Sequence, residues 1–191
     1  MKHEKGAKSD FVNQASTITC AGVTAWNSLK APSSFNQGKT VLLQGVSTVY
    51  DDYIYMRSSI YRNTDLIAPH TGTGGVSMFA LLIALAGGIK PTITSSSNEK
   101  LAAIKKLAPH GAILGYNYKT NPDQAAAVKS LTNGKGVDII LNNCGPPSIP
   151  DDIKSLCRHG TISLVGKLQG VTADWNPAML LYLIANQGSI A

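Results

Sequence analysis

Short apolar runs recur along this chain, each followed by a turn and then by about ten residues of helical period. Strands separated in this way cannot pair as tight hairpins, so they must run parallel through right-handed crossovers. The sequence therefore predicts an α/β fold, a doubly wound parallel sheet with helices on both faces. Expected strands are residues 41–44, 89–94, 112–118, 137–142 and 161–166, and expected helices 15–29, 76–86, 98–107, 122–131, 150–157 and 178–185. Pro91 weakens the second strand because it removes a ladder donor. The first helix should carry small residues on one side and Ile18, Val23, Trp26 and Leu29 on the other, and the third should turn Leu101, Ile104 and Leu107 inward. Ligands of such sheets sit at the carboxyl ends of the strands, which directs attention to Gly45, Gly74, Ser95, residues 142–145 and Gly166.

The first strand and its helix are separated in an unusual way. Thr40-Val-Leu-Leu-Gln-Gly45 ends in a glycine, but the helix that should follow opens at Thr73-Gly-Gly-Val-Ser77. Between them lie 27 residues, Val46 to Gly72, which carry four of the seven tyrosines and neither strand nor helix period. Removing them restores Gln-Gly-Thr-Gly-Gly-Val-Ser in frame. In that joined form Gly45, Gly74 and Ser77 take the three positions of a Rossmann-like phosphate fingerprint, with Thr73, Gly75 and Val76 completing the turn. The first two glycines allow the tight turn and close approach to phosphate, and a small third residue lets helix and strand pack closely. The 27 codons equal 81 nucleotides, and the flanking residues can encode splice-like ends, so the interval is expected to be a retained, translated intron, with a genuine insertion as the alternative.

At the end of the second strand a carboxylate would hold the ribose 2′-hydroxyl of NAD, whereas neutral or basic groups accept a 2′-phosphate. The position reads Ser95-Ser-Ser-Asn-Glu-Lys100, so Ser95, Ser96 and Lys100 favour NADP(H) over NAD(H), with Glu99 turned to solvent. The same serines also suit an N-cap of the next helix. Asn143 and Gly166 lie at strand ends where the nicotinamide would pass, and each also suits turn chemistry.

The remaining composition mainly excludes. Cys20, Cys144 and Cys157 show no CxxC spacing, which argues against a disulfide framework and a structural zinc site and for a reducing, cytoplasmic location. His3, His70, His110 and His159 stand apart from one another and read as surface residues. The net charge of +6 is spread along the chain, as on a solvated surface, and argues against nucleic acid. The longest apolar run, Val76 to Ile89, has two glycines and about 14 residues, too few to span a bilayer. Residues 1–13 are polar, without period, and read as a disordered leader without an apolar signal run. Residues 14–191 then form one cofactor-binding domain.

Six blocks together resemble the medium-chain dehydrogenase/reductase superfamily, the zinc-type alcohol dehydrogenase and quinone reductase relatives. They are Cys20-Ala-Gly-Val-Thr-Ala-Trp-Asn27, the joined glycine motif, Thr94-Ser-Ser-Ser-Asn-Glu-Lys-Leu101, Asn117-Tyr-Lys-Thr120, Gly134-Lys-Gly-Val-Asp138 and Gly160-Thr-Ile-Ser-Leu-Val-Gly166. The resemblance implies a nicotinamide dinucleotide cofactor and, in the full-length relative, a small carbonyl or alcohol substrate. It places Thr24 near the nicotinamide and Tyr118 near the adenosine end, with helix packing and an exposed strand end as the structural alternatives. It puts Cys20 where the zinc-dependent branch has a ligand, but the partner ligands would come from an N-terminal GroES-like catalytic domain expected to be absent here. No catalytic residue is assigned, and this chain alone is expected to lack useful turnover. Pairing of the last strands between subunits in such relatives makes a homodimer possible.

Overall fold

The computed structural model describes residues 18–30, 38–44 and 75–191. A wide π turn, Ile18–Gly22, leads into α1 (Val23–Ser28). Then follow β1 (Thr40–Leu43), α2 (Gly75–Ala86), β2 (Lys90–Ser95), α3 (Asn98–Lys105), β3 (Leu114–Asn117), α4 (Gln124–Leu131) and β4 (Val137–Asn142). A short 3-10 turn, Pro146–Ser148, precedes α5 (Ile149–Ser155), β5 (Leu156–Leu164), α6 (Met179–Ala185) and β6 (Ser189–Ile190). The six strands form one parallel sheet in the order β3-β2-β1-β4-β5-β6. The order reverses beside β1, which is the switch point where such sheets bind ligands.

Alternate residues of the central strands feed two cores. Val41, Leu43, Ile93, Ile139 and Leu141 pack with Ala25, Ala80, Leu81 and Ile104 on one face. Leu42, Ile140 and Ile162 pack with Val128, Ile153 and Leu183 on the other. Both faces of the sheet are therefore covered, which is why its strands read as continuous apolar runs.

Pro91 sits inside β2 without breaking it. Lys90 donates its N–H to the Lys39 carbonyl on the β1 side, so the next nitrogen faces β3, and pairing with β3 begins only at Thr92 opposite Leu114. The missing donor thus falls where no acceptor is lost.

Two expectations, at Leu107 and at the start of the fifth strand, need correction. Along the first helix Gly22, Ala25, Ser28 and Leu29 are buried, while Ile18, Val23 and Trp26 are exposed. This side packs on α2 at ordinary contact distance: a Cβ on Gly22 would stand 3.6 Å from the Phe79 ring, and one on Gly75 3.5 Å from the Ala21 Cβ. Leu107 is half exposed because α3 stops at Lys105. The helix expected over 150–157 ends at Ser155, and the fifth strand starts at Leu156 rather than at residue 161. Its pairing with β4 shifts between Val137 and Ile139, and the extra residues form an irregular step with His159 at φ 62°.

Candidate functional site

The carboxyl end of β1 is a junction of four elements. Gln44, next after β1, turns its carbonyl toward the first turn of α2, where the Ser77 hydroxyl donates to it at 3.1 Å. The Asn143 side-chain amide, just past β4, donates to the same carbonyl at 3.3 Å and to the Ser77 oxygen at 2.8 Å. Ser77 is fully buried and Asn143 nearly so. The small side chain at position 77 therefore allows close packing and also ties α2 to two strand ends. Gly75 is exposed at the helix start and Val76 packs against the first core. Amides in a first helical turn lack intrahelical acceptors, so this end suits an anionic group. Gly45, Thr73 and Gly74, and the interval Val46 to Gly72, lie outside the described residues, as does the 1–13 leader.

Asn143 meets Gly166 across the β4–β5 seam. A Cβ on Gly166 would stand 2.3 Å from the Asn143 carbonyl oxygen, so only glycine fits. Gly145, at φ 100°, closes the same seam against Lys167 and Gly170. The Asn143 amide nitrogen is thus engaged within the protein, while Gly166 is held by backbone approach.

At the end of β2, Ser95 is buried and Ser96 and Lys100 are half-buried. Ser97 is the observed N-cap of α3: its oxygen accepts from the Lys100 N–H at 3.2 Å. Its hydroxyl also bonds the Glu99 carboxylate, which is exposed and held below the usual carboxylate range mainly by that bond. Tyr118 arrives beside this turn through its N–H to the Ser95 carbonyl at 3.1 Å. Its hydroxyl is buried and has no hydrogen-bond partner, so it is not an exposed strand-end tyrosine. Ser95 and Tyr118 are therefore brought together, with Ser96 and Lys100 following Ser95 in the same turn and helix start.

Thr24 stands on α1 and donates its hydroxyl to the Cys20 carbonyl at 2.7 Å, a bond within its own helix. Cys20 is exposed, and among the described residues no three His, Cys, Asp or Glu side chains gather to hold a metal. The described residues do not fit a catalytic zinc. His110 and His159 lie on the surface. Among the described residues no helix is long and apolar enough to cross a membrane.

A second polar centre lies beneath the same edge, on the face opposite α2. Asp152 of α5 is fully buried. Its Oδ1 accepts from the Gln44 and Gln124 amides, both at 2.7 Å, and its Oδ2 from Asn142 at 2.6 Å and Ser148 at 3.3 Å. Burial pushes its carboxyl up to about 7 despite these donors. Sequence reasoning missed it, because Asp151-Asp152 reads as ordinary acid in a first helical turn. The available signal was Gln44 and Asn142, two amides closing otherwise apolar strands.

A six-stranded parallel sheet with this order and a serine-pinned helix at its switch point defines a Rossmann-like α/β domain. Residues 75–190 match the family model described as zinc-binding dehydrogenase, and the chain belongs to that family, within the medium-chain dehydrogenase/reductase superfamily. A zinc-type alcohol dehydrogenase-like protein of Schizosaccharomyces pombe is 36% identical over 92% of this chain and 43% of its own length. The crystal structure of a putative alcohol dehydrogenase from Sinorhizobium meliloti aligns with TM-score 0.65 and 28% identity, over 92% of this chain and 42% of that one. The nucleotide-binding subdomain of the enoylreductase domain of PpsC from Mycobacterium tuberculosis aligns with TM-score 0.59 and 26% identity, over 89% of this chain and 76% of that one. The chain spans less than half the length of the first two.

Proposed function

We propose that this chain forms the NADP(H)-holding part of an oxidoreductase acting on a small carbonyl or alcohol. The observation that carries the reading is the junction of Gln44, Ser77 and Asn143, which seats the start of α2 on the end of β1 at the sheet's switch point. The proposed pyrophosphate site is Gly45, Thr73, Gly74, Gly75 and Val76, with Ser77 fixing the helix beneath it. Ser95, Ser96 and Lys100 would take the 2′-phosphate, since Glu99, the carboxylate of that turn, is engaged by Ser97. Tyr118 would line the adenosine side, and Asn143, Gly166 and Thr24 the path to the nicotinamide. The nicotinamide supplies the hydride, and these residues bind and orient it. The free cysteines suit a reducing compartment, and we place the protein in the cytoplasm.

Calorimetric titration with NADPH and NADH tests this. Saturable binding that favours NADPH is expected. A preference for NADH overturns the phosphate assignment, and no binding by a folded chain overturns the cofactor assignment. Substrate-dependent NADPH oxidation is not expected from this chain alone.

A second reading is self-association. Among the described residues β6 pairs with β5 alone, and Leu181, Tyr182 and Ile184 of α6, the helix before it, are exposed. An open edge flanked by apolar surface favours pairing with a second copy. Light scattering after size exclusion should then give a dimer mass, which a monomer mass would exclude.

A further inference from the structure

Among the described residues Gln44 is the one that touches both polar centres. Its carbonyl receives Ser77 and Asn143 on the α2 side, and its side-chain amide donates to Asp152 on the α5 side. We propose that Asp152 is a positioning residue whose proton occupancy sets the orientation of the Gln44 amide and, through the Gln44 main chain, the seating of the first turn of α2.

The donor count leads to this. A carboxylate offers about four lone-pair sites, and here Gln44, Gln124, Asn142 and Ser148 fill them. The ionised form is satisfied by neutral donors alone, at the cost of complete burial. A protonated Asp152 becomes a donor and needs an acceptor. Asn142 cannot turn to provide one, because its Oδ1 accepts from the Gly145 N–H at 2.6 Å, and the Ser148 hydroxyl, at the longer distance of 3.3 Å, can accept only while its own proton turns to the Gly145 carbonyl. The Gln44 Oε1 atom is buried and without a partner. A half-turn of that amide brings Oε1 to the acid O–H and moves Nε2 away. The proton comes from solvent and ends on a carboxylate oxygen, with no other bond made or broken. Gln44 then changes its hold on Asp152 while its carbonyl still carries Ser77, and that residue is the route by which the change reaches α2.

Burial is the main cause that pushes the Asp152 carboxyl up, and the charge of neighbouring Asp151 adds to it. Burial holds the Cys144 thiol up at about 11 and pushes the Tyr116 hydroxyl well above its usual range. Asp151 is exposed and paired with Lys154 at 3.5 Å, and Asp123 is exposed and caps α4 through the Ala126 N–H.

The test is an NMR titration of the wild-type chain from pH 5.5 to 8.5. The Gln44 side-chain amide and the backbone amides of Gly75, Val76 and Ser77 should shift with one shared midpoint near 7. In Asp152→Asn the same resonances should be silent over this range. Helix amides that stay still while Gln44 titrates overturn the coupling, and a shift confined to the Gln124 amide overturns the role of Gln44. If Asp152→Asn does not fold, the wild-type titration alone decides. The effect on affinity rests on the cofactor reading above: the NADPH dissociation constant should change by about fivefold across the same midpoint and lose that dependence in the variant. A chain that binds no NADPH defeats that reading, while the resonances still decide the coupling. A constant that does not vary with pH in a chain that binds defeats the coupling.

Discussion

At position 77 a hydroxyl stands where close helix-strand packing requires only a small side chain, and it is not idle. It donates to Gln44 and accepts from Asn143, both of them buried. Ser77→Ala keeps the volume and leaves two buried polar groups short of a partner, so it should cost about 1–3 kcal/mol, read from the denaturant midpoint at unchanged m-value. Two carboxylates give opposite pH signatures. Asp138 is partly buried, which pushes its carboxyl up, but the Thr40 N–H and hydroxyl, Lys135 and Cys157 outweigh this and hold it below 3.8. Its stabilisation is present above 3.8 and is lost as pH falls through its lowered folded value. Asp152 is raised, so its contribution is full below 3.8 and lost as pH rises to about 7. Denaturant curves at pH 5 and pH 8 should therefore show wild type losing more stability on the alkaline side than Asp152→Asn, and an equal loss would contradict the assignment. Ser77 was legible in the sequence because a fingerprint fixes its place. Asp152 was not, because two of its four partners, Gln124 and Gln44, come from 28 and 108 positions away.

Among the elements, β4 was readable to the residue, since Val137–Asn142 is a largely apolar run after the turn Thr132 to Gly136, whose Asn133, Gly134 and Gly136 take positive φ. In α1 a small side and a large side can be told apart in the sequence, but which of them is covered depends on the packing against α2, which takes the side with Gly22 and Ala25. The start of β5 was misread because Arg158-His-Gly160 signals a turn, and the turn lies inside the strand as an irregular step. The β4–β5 seam offers a test at this scale. In Gly166→Ala the new methyl would meet the Asn143 main chain, which has no flexible end to give way. A loss of about 1–3 kcal/mol or more is expected, together with weaker NADPH binding, because Asn143 is part of the Gln44 junction. A Gly166→Ala variant as stable as wild type would show that the seam has room.

For the molecule as a whole, the main question is how β1 reaches α2. The connection from Gln44 to Gly75 runs through 30 residues, yet the Ser77 hydroxyl lies 3.1 Å from the Gln44 carbonyl. The two ends thus meet as they would across a tight turn. Without Val46 to Gly72 the same ends would be joined by Gly45, Thr73 and Gly74 alone. Going from 30 residues to three is about three halvings of the connection, and each halving lowers the closure cost by about 0.6 kcal/mol. A chain lacking residues 46–72 should therefore be more stable by roughly 2 kcal/mol, and it should bind NADPH at least about tenfold more tightly because the phosphate turn is preorganised. Denaturant curves and calorimetry on the two chains measure both effects, and sequencing transcripts across codons 44 to 74 asks whether the shorter form is made. A shortened chain that is less stable or binds more weakly would mean that the 27 residues belong to the working protein. A gain in both would identify the joined turn as the form for which Gln44, Ser77 and Asn143 are arranged.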